Sequence, residues 1–340
     1  MNYLRAHLPS DTSYDRGVSD VPVPVLPDAA GKAWKGWAYN HAMQRRTFLQ
    51  ALIASGTSFA AAPDRRGIAQ VLAQGYVWQQ WANTNKKKLG EAIDEIFPAT
   101  RRAGYRHMEL TSSFFTPDLR AGTIAAAEKA GIDVPIVYHG GTLHEAAAAD
   151  KTIGEAIEYA EAAKRLGVKA VNTNANPKAG RAAKSEDELA VQAKALNRFG
   201  EKLRDCGLKF QLHSHDPELA QNAREWRYML THTDPKLVSL CADVHWLFRG
   251  GQDPYELLAE AGKRVASLHL RNSTQKFWSE SFGEGDVDYR KVARILRKTG
   301  AKPYLVVELA YEKETQPKKG LEEDLRLSRV YAEKVFGVKA

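Results

Sequence analysis

Short apolar, β-prone runs alternate with longer segments of helical spacing from residue 76 to residue 311, and this alternation limits the folds open to the chain. The runs are YVWQQWANT (76–84), RHMEL (106–110), VPIVYHGG (134–141), VKAVNTNAN (168–176), LKFQLHSH (208–215), VSLCADVHW from Val238, ASLHLRNS from Ala266 and YLVVELAY from Tyr304. Successive runs start about 28 to 40 residues apart. Segments such as TIGEAIEYAEAAKRLG and SEDELAVQAKALNRFGEKLRDCG lie between them, and several end in glycine (Gly104, Gly131, Gly167, Gly207), the usual helix stop. Eight strands alternating with helices predict a (β/α)8 TIM barrel, an α/β fold. A doubly wound open sheet is the competing architecture, but no Gly-rich phosphate loop follows the first run. With 44% hydrophobic residues the chain has enough apolar material for a sizeable core.

The polar residues collect at one end of these runs. The last three runs carry Asp243 with His245, His269 with Arg271, and Glu308. A closed parallel barrel brings its strand ends to one face, where active sites of that fold sit. Asp, His and Glu converging there suit a borderline divalent ion such as Mn, Co or Zn. Each residue has a plainer role open to it. A strand-end His often only satisfies a structural hydrogen bond, Asp243 has the position of a helix N-cap, and Glu308 has lysines nearby. Recurrence at three successive strands carries the metal reading. The earlier runs add Gln79, Gln80 and Trp81, then Glu109, then His139 before Gly140-Gly141. Asn172, Asn174 and Asn176 follow on the fourth, and His213-Ser214-His215 on the fifth. So many polar groups favour a polyhydroxylated ligand over an apolar one, although about half of the Asn and His residues are accounted for by loop backbone groups.

The start of the chain reads differently. Met43 to Pro63 is MQRRTFLQALIASGTSFAAAP: an arginine pair, Arg45-Arg46, then Phe48-Leu49, a short weakly apolar run and a small-residue zone. This resembles a Tat signal peptide, with cleavage expected after Ala60, and the run is too short for stable membrane insertion. The resemblance implies export by the Tat machinery to the periplasm. Residues 1–42 precede the signal and read as a disordered or non-native extension, either upstream of a start at Met43 or as a long n-region. Residues 63–340 then form one catalytic domain. Six basic and four acidic residues lie in 1–62, so the net charge of +8 becomes +6 for the remainder, with no polybasic block. That charge does not call for nucleic acid. Cys206 and Cys241 are the only cysteines and read as free thiols, not a bridge.

GYRHMEL, HSH, ADVHW, SLHLRNS, FGEGDVDY and VVEL, in this order, resemble the sugar phosphate isomerase/epimerase family, the xylose isomerase-like TIM barrels, over roughly residues 76–335. The resemblance implies a divalent ion held by Glu, Asp, His and Glu at strands five to eight. By position, Asp243, His269 and Glu308 fill the last three places. His213 stands where a Glu is usual, and HSH is similar to the HNH-like run of one branch. The fifth-strand ligand is His213 or His215, with His213 favoured. Members with two metal-bound glutamates move a proton between two faces of the substrate, and here one of the two is missing. Glu308 remains as a base, with Glu109, His139 and His215 as further acid–base candidates. Gln80, Trp81, Asn174 and Arg271 are the expected substrate contacts, and Trp278 with Glu280 a lid.

The implied activity is metal-dependent sugar isomerisation or epimerisation through a metal-stabilised enediolate formed by α-proton abstraction. A lyase or dehydratase acting on a keto-sugar or keto-glycoside is the alternative. An endonuclease IV-like DNA-repair enzyme would need a His three residues after the sixth-strand Asp, and here His245 follows Asp243 by two. A non-catalytic sugar-binding barrel is the remaining reading. Export and the missing phosphate cradle point to an unphosphorylated sugar. A homo-oligomer is left open.

Overall fold

The computed structural model describes residues 71–338, so the signal-peptide and extension readings lie outside the described residues. Eight parallel strands close into a barrel in the order β1-β8-β7-β6-β5-β4-β3-β2. They are β1 (Val71–Gln74), β2 (His107–Thr111), β3 (Asp133–Tyr138), β4 (Ala170–Asn174), β5 (Lys209–His213), β6 (Val238–Asp243), β7 (Val265–Leu270) and β8 (Tyr304–Val307). Closure falls on β1, which pairs with β8 at Val71↔Leu305 and with β2 at Ala73↔Met108. The four glycines expected to stop helices all have positive φ, for example +66° at Gly131, whose N–H reaches the carbonyls of Ala127 and Glu128. Among the described residues no helix is long and apolar enough to cross a membrane. Cys206 and Cys241 are free.

The first strand departs from expectation. YVWQQWANT is the helix α1 (Tyr76–Thr84), and the strand is VLAQ just before it. Val77, Trp78 and Ala82 are the buried residues of α1, and Trp81 packs partly buried beside them. That spacing is one helical face, so the apolar side chains follow the helical period and not the alternation of a strand. VLAQ is too short to show alternation, and all four of its residues are buried. Gly75 turns the chain between the two. Its N–H donates to the Glu109 carbonyl at 2.8 Å, and a Cβ there would stand 2.8 Å from Leu110 Cδ2.

Side chains inside the barrel change character with height. Leu72, Ile136, Ala170 and Val306 form a small, fully buried apolar cluster. One step further along the strands the interior turns polar, with Gln74, Glu109, Asn172, Gln211 and Ser267 all buried. These groups bond one another, as in Ser267 Oγ to Gln211 Oε1 at 2.6 Å. Buried polar groups persist only when so partnered. The larger apolar cluster fills the space between the outer strand faces and the surrounding helices. The barrel is therefore sealed below, packed outside, and polar towards the ends of its strands.

Candidate metal centre

Four of the described residues meet at those ends. His213 closes β5, Asp243 closes β6, His269 lies one residue before the end of β7, and Glu308 follows the last residue of β8. One donor atom from each lies within 4.8 Å of all the others. His213 Nε2 is 3.8 Å from Asp243 Oδ2, and His269 Nδ1 is 2.6 Å from Glu308 Oε2. His213, Asp243 and His269 have side chains 0–1% accessible, whereas Glu308 retains 11%.

The donors fit a metal ion by what they leave unbonded. Both ring nitrogens of His213 and Nδ1 of His269 are buried without a hydrogen-bond partner. The 2.6 Å approach of His269 to Glu308 is a close contact without hydrogen-bond alignment. A buried unsatisfied polar group costs about 1–3 kcal/mol, so unpartnered donors pointing at one place call for a shared partner. Two imidazoles and two carboxylates match Mn, Co or Zn in donor type.

Arg271 supplies the counter-charge. Its Nη2 is 3.0 Å from Asp243 Oδ2 and 2.5 Å from Glu308 Oε2. Burial by itself would raise the pKa of Asp243, but Arg271 and then His213 outweigh it and hold the carboxyl far below the usual range. At Glu308 burial is again overcome, by Arg271 and then His269, to about 2. Both carboxylates are thus anionic at neutral pH. Asp243 also caps the helix α7 (Val244–Arg249), accepting from the N–H groups of His245 and Trp246 at 2.9 and 3.0 Å. The N-cap role and the ligand role fall on different oxygens of one side chain.

Glu109 stands behind His269, away from the opening. It is fully buried, and its Oε1 accepts from His269 Nε2 at 2.9 Å. Asn172 Nδ2 donates to its other oxygen at 3.3 Å. With Nε2 held by that bond, Nδ1 is the nitrogen turned to Glu308, and an ion bound there would displace the proton that the surrounding carboxylates favour on it. Glu109, expected as an acid–base group, is thus fully buried and bonded to His269 and Asn172, the position of a group that orients His269. Glu109→Gln is expected to weaken Mn binding about 10- to 100-fold in a metal titration. The amide can still meet the ring but cannot anchor its N–H with a charge. Unchanged affinity would remove this role.

The remaining expected site residues divide. His215 stands at the shoulder of the cluster, its ring 4.6 Å from His213 and 5.3 Å from Trp246. Burial, and secondarily His213, lowers its pKa, so it is neutral at pH 7. Asn174 accepts from Tyr138 Oη at 2.8 Å, and the Tyr138 ring lies 5.6 Å from His213 and 6.3 Å from His269. His139 does not join them. Strand alternation turns it outward, with Nδ1 2.9 Å from Ser112 Oγ and the ring 5.3 Å from Tyr159. Tyr138 takes the inward place instead, which the period-2 rule would have indicated.

Gln80 and Trp81 also leave the site, because they belong to a helix. The Gln80 amide bonds both ways to the Tyr311 backbone, at 3.1 and 2.9 Å. Trp81 packs edge-on to Trp78 with Lys87 over its ring. Trp278 does cover the centre, from a short antiparallel ribbon (Ser273–Thr274 with Phe277–Trp278). Its Nε1 donates to His245 Nδ1 at 3.2 Å, and Arg271 Cζ lies 4.9 Å from its ring centre. Trp246 meets it edge-on at 5.6 Å. Glu280 lies to one side, accepting from the Lys318 N–H at 2.9 Å.

Known proteins resemble the chain at two levels. The profile described as xylose isomerase-like TIM barrel matches residues 97–331. The inosose dehydratase of Clostridium perfringens strain 13 is 28% identical over 142 residues, 36% of this chain and 48% of that protein. The chain thus spans about half the length of the curated relatives it matches. Two solved structures share the fold. A sugar phosphate isomerase/epimerase from Parabacteroides distasonis has a TM-score of 0.59 at 19% identity, covering 82% of this chain and 97% of its own. A D-psicose 3-epimerase from Clostridium cellulolyticum, solved with D-tagatose, has a TM-score of 0.62 at 12% identity, covering 78% and 99%.

Proposed function

Because the chain belongs to the xylose isomerase-like TIM barrel family, we propose that it is a divalent-metal-dependent enzyme removing the proton α to the carbonyl of an unphosphorylated sugar or keto-sugar. Isomerisation or epimerisation is the first outcome. The observation that supports it is Glu308, an ionised carboxylate at the centre and the one member of the four with an accessible side chain. A divalent ion held by His213, Asp243, His269 and Glu308 would supply Lewis acidity toward a substrate carbonyl. Glu308 takes the α-proton, and the electron pair left behind moves to the carbonyl oxygen, giving an enediolate. Arg271 lies beside Glu308 and offers a fixed positive charge to that oxygen. Trp246 and Trp278 shield the centre from water, which strengthens each of these interactions. Returning the proton to the same or the neighbouring carbon completes isomerisation or epimerisation.

Dehydration is the second reading, and two observations favour it. The fifth strand supplies His213, not a second glutamate, so among the described residues the cluster does not pair Glu308 with another glutamate base. Inosose dehydratases are among the curated relatives it matches. In this case the enediolate expels a β-hydroxyl, and Tyr138 or Arg271 is near enough to the centre to assist its departure. Incubating Mn-loaded protein with keto-sugars in D2O tests both. Deuterium at the α-carbon supports isomerisation or epimerisation, and an α,β-unsaturated product supports dehydration. Turnover of sugar phosphates alone, or turnover with the α-proton retained, would overturn the proposal.

The proposed setting is periplasmic, reached through the Tat machinery by way of Arg45-Arg46. Tat carries folded proteins, so the ion would be loaded before export. Arg45→Lys with Arg46→Lys is expected to abolish export, and the exported form to start near residue 61 on N-terminal sequencing. An intact Met1 or Met43 on that form would count against it.

A further inference from the structure

A second cavity opens on the far side of the Trp278 wall. Its volume is about 330 Å³, and Phe277, Trp278, Glu280, Thr315, Gln316 and Lys318 are among its lining residues. These come from the ribbon after β7 and the loop after β8, so the cavity lies on the same rim as the metal centre. One side chain is common to both. Trp278 lines the cavity, while its ring also packs on Arg271, the residue that holds Asp243 and Glu308. The Trp278 backbone N–H donates to Glu312 Oε1 at 3.0 Å, which fixes the wall in place.

The lining is suited to binding and not to chemistry. Phe277 is 43% exposed, one of few large apolar side chains so placed among the described residues. Thr315 Oγ1 is buried and has no hydrogen-bond partner. Glu280 and Glu314 face a single Lys318, so the charge of the lining disfavours phosphate and carboxylate ligands. An exposed aromatic face beside the unpartnered Thr315 hydroxyl and other polar side chains, with no excess of positive charge, fits a neutral pyranose. Its C–H face packs on the ring, and its hydroxyls meet the polar side chains.

We infer that this cavity is a subsite for the second, neutral sugar ring of a glycoside whose first ring sits at the metal centre. The inference rests on the reading of that centre as a sugar site. It narrows the substrate class to keto-derivatives of disaccharides and related glycosides.

Calorimetric titration of the full-length, Mn-loaded protein tests it, using cellobiose, maltose, lactose and sucrose, each against the methyl glycoside of its first ring. At least one disaccharide is expected to bind about tenfold more tightly than its one-ring counterpart. Phe277→Ala combined with Thr315→Val is expected to remove that advantage while the methyl glycoside binds as before, with the melting temperature reporting an intact fold. Saturation-transfer NMR on the same pair should place both rings of the disaccharide against protein. Equal affinities across all pairs, no binding by any disaccharide, or an advantage that survives the double variant would overturn the subsite. The proposed reaction is judged separately. Proton exchange on a keto-monosaccharide without any two-ring preference sinks only the subsite, and a two-ring preference without exchange on any keto-sugar sinks only the reaction.

Discussion

Glu308→Gln is expected to lower turnover by about 10²- to 10⁴-fold, the usual worth of a positioned general base. Gln keeps the volume of the side chain but cannot take a proton from carbon. It also leaves Arg271 facing one carboxylate, Asp243, where it now faces two. Because Glu308 is both the proposed base and a proposed ligand, the rate must be measured at saturating Mn, with bound metal counted in parallel. The expected result is a low kcat that excess Mn does not restore, together with loss of α-proton exchange in D2O. Exchange at the wild-type rate in this variant would remove Glu308 from the chemistry.

Asp243→Ala is expected to be the most disruptive single change, and to act in two ways at once. It leaves the buried Arg271 guanidinium beside Glu308 alone, and the lost charge-assisted bond to Asp243 is worth about 1.5–3 kcal/mol. It also deletes the cap of α7, worth about 1 kcal/mol more. Asp243→Asn separates these, because the amide oxygen can still cap the helix while the charge is gone. Denaturant unfolding should therefore rank wild type above Asn and Asn above Ala. Bound Mn, about one per chain in the wild type, should fall in both variants. Full occupancy by elemental analysis in Asp243→Ala combined with His269→Ala would sink the metal assignment.

The contrast between Glu109 and Glu308 shows where local sequence stops being informative. Both end β-prone runs, and both face the barrel interior. Gln74 pairs with Glu109 in register, and Val307, the residue before Glu308, pairs with Leu270. Those pairings put Glu109 behind His269 and Glu308 in front of it. The choice between His213 and His215 has the same origin. Two residues apart, they share strand parity, and the chain leaves the barrel wall after His213.

The pattern along the chain by itself located seven of the eight strands and, with the helical segments between them, the closed barrel. It also placed Asp243, His269 and Glu308 at strand ends, since a polar residue closing a buried apolar run has one physical place to be. Strand parity also contains the inward Tyr138 and the outward His139. The tertiary structure decided the rest. It turned YVWQQWANT into a helix, because its apolar residues had a helical face to bury. It set the height of each side chain inside the barrel, because stagger between neighbouring strands is a property of the closed sheet and of no single strand. It also put Arg271 between Asp243 and Glu308, and Trp278 between the centre and its neighbouring cavity, through contacts spanning 28 and 33 residues.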